Sequence, residues 1–477
     1  MQKRRAGVLA PIFALPSGYS SGAFGREAYE FVDRLAEGGF AYWQVLPFTV
    51  TDAFRSPYAS PSSFSVNPYF IDLVSLAERE LITKEELEAA KESVSYTCEY
   101  ERLEAERMAL LSRAASRFTD DGALTAFLDE NPYLEEYCRF AALKKANGGV
   151  PWQAFRVQEP DADAYRTHAF IAYEFFRQWS ALHAYANARG IRVIGDLPIY
   201  VSHDSADVFF HPELFCLDEN GDPTGVAGVP PDYFCEDGQM WGNPLYRWEK
   251  MKEDDFSFWR ARIRQMLTFF DGVRLDHFRG YDTYFDIPYG APNAKSGVWR
   301  EGPREAFVDM LKEEGEGALL IAEDLGDLSP SVEELLAYSE LPGMRVFAFA
   351  TDGADSHHIP HAYPANTVAY SGTHDNNTLL GFLFSLDEEK RRELFDYCRY
   401  GGDDVTEGCR AVIETLYLSH ANLVILPIQD LLFFGEDTRF NTPGRAEGNW
   451  AFRITDEQMR SIDMAYFRTL AERYGRI

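Results

Sequence analysis

Short apolar runs closed by turn residues recur along this chain of 477 residues, and helical patterns lie between them. The first run, GVLAPIFALP, is followed by Phe24, Ala28, Phe31, Val32 and Leu35 at helical spacing, with Gly38 and Gly39 as a stop. A second run, AYWQVLPF at 41–48, completes a unit long enough for a right-handed parallel crossover. Six more runs follow: RVIGDLPIYV (192–201), DGVRLDHF (271–278), ALLIAEDLG (318–326), GMRVFAFA (343–350), NTVAYSGTHD (366–375) and NLVILPIQD (422–430). Eight such strands alternating with helices predict an α/β protein, a (β/α)8 TIM barrel occupying residues 1–477 as one catalytic unit.

Two intervals are too long for simple crossovers. Residues 74–150 carry charged helical patterns such as ITKEELEAAKESV and read as an inserted helical subdomain with solvated faces. Residues 203–250, rich in Gly, Pro, Asp and aromatics, read as a long loop on the active-site rim. Lys3, Arg4 and Arg5 ahead of the first apolar run imitate a short secretory signal. The β/α alternation that continues from this run favours a first barrel strand, although Pro11 suits neither reading.

Charge narrows the partners. Lys and Arg number 46 against 76 Asp and Glu, a net charge of −30, which disfavours nucleic acid and anionic membrane surfaces. No apolar run is long enough to span a bilayer. Cysteines 98, 138, 216, 235, 398 and 409 show neither CxxC pairing nor zinc spacing, and read as reduced thiols of a cytoplasmic protein.

In a barrel the chemistry gathers at the C-terminal ends of the strands. Asp196, the Arg274/Asp276/His277 cluster, Glu323-Asp324, His374-Asp375 and Gln429-Asp430 stand there. Any one of these acids could simply cap the next helix, but the set aims several carboxylates into one mouth. That set suits glycosyl transfer: one carboxylate attacks the anomeric carbon and a second, kept protonated, protonates the leaving oxygen. Arg274 and Asp276 share one side of their strand, so the guanidinium would keep Asp276 ionised. A metal site is the competing reading, without an HxH or HExxH pattern to support it. The segment PPDYFCEDGQMWGNPLYRW (230–248) offers aromatic rings for pyranose faces and Asp232, Gln239 and Asn243 for hydroxyls. Its aromatics could equally pack the loop, Tyr246 and Trp248 above all.

Together these residues resemble the 4-α-glucanotransferase (amylomaltase or disproportionating enzyme) family of the α-amylase clan. The resemblance runs through SPYASPSSFSVNPYFIDL (56–73), GDLPIYVSHDSADVF (195–209), the 230–248 segment, GVRLDHFRG (272–280), IAEDLG (321–326), SGTHDNNT (371–378) and RFNTPGRAEGNW (439–450). It implies Asp276 as nucleophile, Glu323 as general acid/base and Asp375 as transition-state stabiliser. It further implies that Arg274 and His374 support the sugar at the cleavage point with Tyr58 stacking beside it. Asp196, Asp232, Gln239, Trp241 and Asn441 complete the expected substrate-binding set. No metal and no cofactor is implied. The expected partners are α-1,4-glucans and maltooligosaccharides, with glucose as an acceptor, and no oligomeric state follows. Asn377, Phe382 and Ala446 depart from residues common in the family, which touches acceptor-side details. From Gly448 to Ile477 the chain is too short for the roughly 100-residue β-sandwich of related α-amylases, so none is expected. A retaining α-glucan hydrolase, a catalytically dead maltodextrin-binding protein and a divalent-metal sugar isomerase remain as alternatives.

Overall fold

The computed structural model describes residues 3–231, 236–326, 328–351 and 356–477. Its strands in chain order are β1 (Arg5–Leu9), β2 (Tyr42–Gln44), β3 (Arg192–Leu197), β4 (Gly225–Val229), β5 (Gln239–Pro244), β6 (Gly272–Leu275), β7 (Thr283–Pro288), β8 (Val298–Glu301), β9 (Leu319–Ala322), β10 (Gly343–Val346), β11 (Thr367–Tyr370) and β12 (Leu423–Pro427). Strands β1, β2, β3, β6, β9, β10, β11 and β12 close into a parallel barrel, with β12 returning to β1. Each of the eight apolar runs supplies one of these strands. They are apolar on both faces because helices cover the outside while side chains fill the inside. Pro11 falls beyond the end of β1 and precedes a short 3-10 helix, Ile12–Ala14, so the first run is a strand that stops before its proline.

Helix Arg26–Glu37 packs Phe31 against Trp43 of β2, centroids 5.3 Å apart, and ends at Gly38, as its apolar spacing predicts. Between β2 and β3 run several helices, among them Met108–Arg117, Pro132–Ala146 and the long Ala162–Ala188. Their buried Leu111, Phe140 and Phe170 belong to the same apolar cluster as Val193 and Ile194 of the barrel. No helix among the described residues is long and apolar enough to cross a membrane.

The 203–250 segment is more ordered than a loop. It contains helix Ala206–Phe210 and strands β4 and β5, which pair with β7 and β8 in an antiparallel sheet ordered β5-β4-β7-β8. The composition concealed this. β4 and β5 hold glycines and a proline that weaken strand signals, and β7 and β8 lie beyond the next barrel strand.

Candidate active site

Asp276 directly follows β6, Glu323 directly follows β9, and Asp196 is the penultimate residue of β3. The main chain locks these ends together: the Asp276 N–H donates to Leu197 O at 3.1 Å and the Glu323 N–H to Leu275 O at 3.1 Å. Arg274, only 4% exposed, sits among them. Its Nη1 donates to both Asp196 oxygens at 2.8 and 2.9 Å and to Asp276 Oδ1 at 2.9 Å. Its Nη2 lies 3.9 Å from Glu323 Oε2. One buried guanidinium therefore joins acids from three neighbouring strands and offsets the cost of taking them out of water.

Asp196 is spent on this network, since it also accepts the Tyr58 hydroxyl at 2.7 Å. The Tyr58 ring is stacked on His374, centroids 5.1 Å apart and planes 15° from parallel. His374 Nε2 stands 3.3 Å from Asp375 Oδ2, and Asn441 Nδ2 donates to Asp375 Oδ1 at 2.6 Å. Arg439 donates to the backbone carbonyls of Asp375 and Asn441, holding the two segments together. Trp450 packs beside Tyr58 and His374, with centroids 5.9 and 6.0 Å away. Arg439 and Trp450 were given no role from sequence, although both lie within the RFNTPGRAEGNW motif that could have flagged them.

His277 adopts a left-handed backbone, φ 50°, which is uncommon for a residue other than glycine. From it the main-chain N–H donates to Glu323 Oε2 at 2.6 Å, while Leu325 N–H reaches Oε1 at 3.2 Å. The His277 and Trp241 rings meet in a T-shaped contact, centroids 5.0 Å apart, and Trp241 Nε1 donates to Gln239 Oε1 at 3.2 Å. β5 thus brings Gln239 and the exposed Trp241 beside His277, whose main-chain N–H holds Glu323. Asp232 lies outside the described residues, as do Tyr233 and Phe234. Tyr246 and Trp248 are buried and belong to the packing of this region.

The three acids differ in charge. Burial pushes Asp276 upward and Arg274 pulls it back, leaving it at about 6. Burial pushes Glu323 further, against the pull of Arg274 and with the help of the Asp276 charge, to about 8. Burial opposes ionisation of Asp375 too, but His374 and the Asn441 hydrogen bond hold it well below the usual carboxylate range. Of the two neighbours, Glu323 is raised further than Asp276 and so is the one that keeps the proton, while Asp375 is held in its charged form. The main agent at Glu323 is burial, and the Asp276 charge adds to it. Arg274 limits the rise of Asp276 and does not bring it below the ordinary value. An ionised carboxylate beside a protonated one is the pairing that double-displacement glycosyl chemistry uses.

Two other strand-end acids bond to neighbouring segments of the barrel and not to Arg274. Asp324 accepts from Met344 N–H and Arg345. Asp430 accepts from Ser371 Oγ and from Leu379 N–H at the start of helix Leu379–Ser385, as a capping acid does. Gln429 donates to Thr438 O. Among the described residues no group of three or more His, Cys, Asp or Glu side chains could hold a metal ion.

Comparison with known proteins gives the chain its family. A family model described as 4-alpha-glucanotransferase matches residues 10–459. The 4-alpha-glucanotransferase of Thermus thermophilus is 41% identical over 500 residues, covering 99% of each chain. That of Streptococcus pneumoniae TIGR4 is 39% identical over 484 residues, covering 96% of this chain and 95% of its own. The solved structure of amylomaltase from Streptococcus agalactiae in complex with acarbose matches with a TM-score of 0.93 at 36% identity, over 99% of this chain and 100% of that one. With a family match along most of its length and a barrel that superposes throughout, this chain belongs to the 4-alpha-glucanotransferase family, a (β/α)8 transferase acting on glucans.

Proposed function

We propose that the chain moves α-1,4-glucan segments between maltooligosaccharides, or onto glucose, by a retaining double displacement at Asp276 and Glu323. Asp276 attacks the anomeric carbon while Glu323 gives its proton to the departing glycosidic oxygen. Asp276 becomes a glucosyl ester, and the shortened glucan leaves with a new 4-hydroxyl. Glu323, now ionised, takes the proton from the 4-hydroxyl of an incoming glucan, whose oxygen displaces Asp276 and restores the α configuration. Asp375 stabilises the oxocarbenium-like charge from the opposite strand end. Arg274 and Asp196 fix Asp276, His374 and Tyr58 bound the sugar at the cleavage point, and Asn441 orients Asp375. Gln239 and Trp241, with Asp232 from the same segment, cover the bound chain. These residues act within a single catalytic unit, residues 1–477, in which 74–150 forms an inserted helical subdomain and 203–250 the rim of the mouth. The free thiols of Cys98, Cys138, Cys216, Cys398 and Cys409 suit a reducing cytoplasm.

The observation that carries this reading is geometric: buried Arg274 donates to Asp276 Oδ1 at 2.9 Å and lies 3.9 Å from Glu323 Oε2, which sets the two carboxyls side by side at one mouth. Incubation with pure maltotriose tests it. A ladder of longer oligomers with released glucose is expected, and acarbose, found in the Streptococcus agalactiae relative, should compete with the donor. Release of reducing ends without longer oligomers would make the chain a retaining hydrolase instead.

A further inference from the structure

Glu323 is followed by an acid that the mechanism leaves unused. Asp324 is buried, 3% exposed, and its carboxylate turns into the seam between β9 and β10. There Oδ1 accepts the Met344 N–H at 2.5 Å and Oδ2 accepts Arg345 Nη1 at 2.8 Å. The same Arg345 nitrogen donates to the Met344 carbonyl at 2.6 Å, so the guanidinium ties the carboxylate to the β10 main chain.

This seam has little ladder of its own. β9 pairs with β10 through Gly343 and Ala322 alone, whereas β9 meets β6 from Leu319 to Ala322 and β10 meets β11 from Gly343 to Val346. Glycine makes the room for the carboxylate, since a Cβ on Gly343 would stand 2.4 Å from Asp324 Oδ2. Towards β6, Glu323 is held by its own main chain, through Leu275 O and Phe278 N–H. Towards β10, the Ala322 N–H donates to Pro342 O at 3.0 Å, and past that bond the end of β9 is held by the side chain of Asp324.

We propose that Asp324 is a positioning residue for the reaction: clamped by Arg345 and seated over Gly343, it fixes the end of β9 so that Glu323 reaches the glycosidic oxygen. The inference rests on Glu323 being the acid/base. If the clamp loosens, Glu323 moves relative to Asp276, and a misplacement on the order of 1 Å costs on the order of 10²-fold in rate. A donor that needs the proton should suffer this loss, and a donor whose leaving group departs unaided should not.

The test uses the full-length chain with Asp324→Asn and Gly343→Ala, and Glu323→Gln as reference. Three quantities are measured: kcat and KM on maltotriose, first-turnover fluoride release from α-glucosyl fluoride, and melting temperature. Asp324→Asn and Gly343→Ala should each lower kcat on maltotriose by about 10- to 100-fold, with KM and fluoride release changed less than about threefold. Combining them should cost little beyond the worse single variant, because both loosen one clamp. Equal losses on the two donors, or losses that track the fraction unfolded, would make Asp324 merely structural and overturn the inference. Unchanged kinetics on maltotriose would overturn it as well. Should Asp324→Asn fail to fold, Gly343→Ala decides, since it keeps both charges and only crowds the carboxylate. If Glu323→Gln fails to discriminate the donors, the acid/base assignment itself falls and this inference falls with it. Discrimination by Glu323→Gln without discrimination by the other two sinks this inference alone.

Discussion

In the proposed double displacement, Glu323 works in the first step only while it carries a proton, and Asp276 only while it lacks one. With Asp276 at about 6 and Glu323 at about 8, kcat/KM should rise as Asp276 ionises and fall as Glu323 does, giving a bell between these values. A pH–rate profile on maltotriose measures both limbs, and a profile flat from pH 5 to pH 9 would contradict the paired assignment. Glu323→Gln should lose on the order of 10³-fold on maltotriose and far less in fluoride release from α-glucosyl fluoride. The same raised value makes Glu323 a cost to the fold. The folded state favours its protonated form, so its contribution is full below the unfolded value near 4.5 and is lost as pH rises through about 8. The melting temperature of Glu323→Gln relative to the parent should therefore climb from pH 5 to pH 8. A difference independent of pH would mean that the carboxyl is not desolvated.

At the scale of elements, the proposed choice between transfer and hydrolysis falls to the antiparallel sheet. Water is abundant, so transfer requires that the acceptor be oriented and water kept out. Trp241, 38% exposed on β5 and in a T-shaped contact with the His277 ring, is proposed to lie over a bound glucan. Trp241→Ala should lower transfer to glucose and raise the ratio of reducing ends released to glucosyl units transferred. A constant ratio with both rates reduced would mean that Trp241 binds substrate and something else excludes water. Gly238 and Gly242 flank this tryptophan at φ 66° and 79°. At Gly238 a Cβ would also lie 2.6 Å from Val229 O, so this glycine fits a close backbone approach in addition to whatever mobility it lends. The strands around it were hidden from a local reading because their pairing joins segments separated by β6, whereas the barrel strands announce themselves as uninterrupted apolar runs.

For the whole molecule, closure of the barrel brings the two ends of the described chain together. Arg476, fully buried, donates to the carbonyls of Arg5, Leu416, Tyr417, Ser419 and Ala421. Arg4 adds bonds to Tyr417, Ser419 and Tyr474. Removing a buried donor strands its acceptors at roughly 1–3 kcal/mol each where water cannot replace it. Arg476→Ala should destabilise the fold by about 3–5 kcal/mol, seen as a lower denaturation midpoint, with little effect on kcat for the protein still folded. A loss below about 1 kcal/mol would show that water satisfies those carbonyls.

The sequence by itself determined the barrel and the identity of its acids. Parallel strands buried on both faces must be apolar throughout, and a polar residue directly after such a run stands at the mouth. It could not say which of those polar residues face the reaction. Glu323 and Asp324 are adjacent, and both follow β9, yet one carboxyl looks across to Arg274 and the other is clamped by Arg345 in the seam. Nor could it show that Tyr58 stacks on His374 while its hydroxyl holds Asp196, a link across 138 positions in one case and more than 300 in the other. Those choices, and the separation of Asp276 from Glu323 in proton affinity, arise from burial and from contacts between segments distant along the chain. They exist only once the barrel has closed.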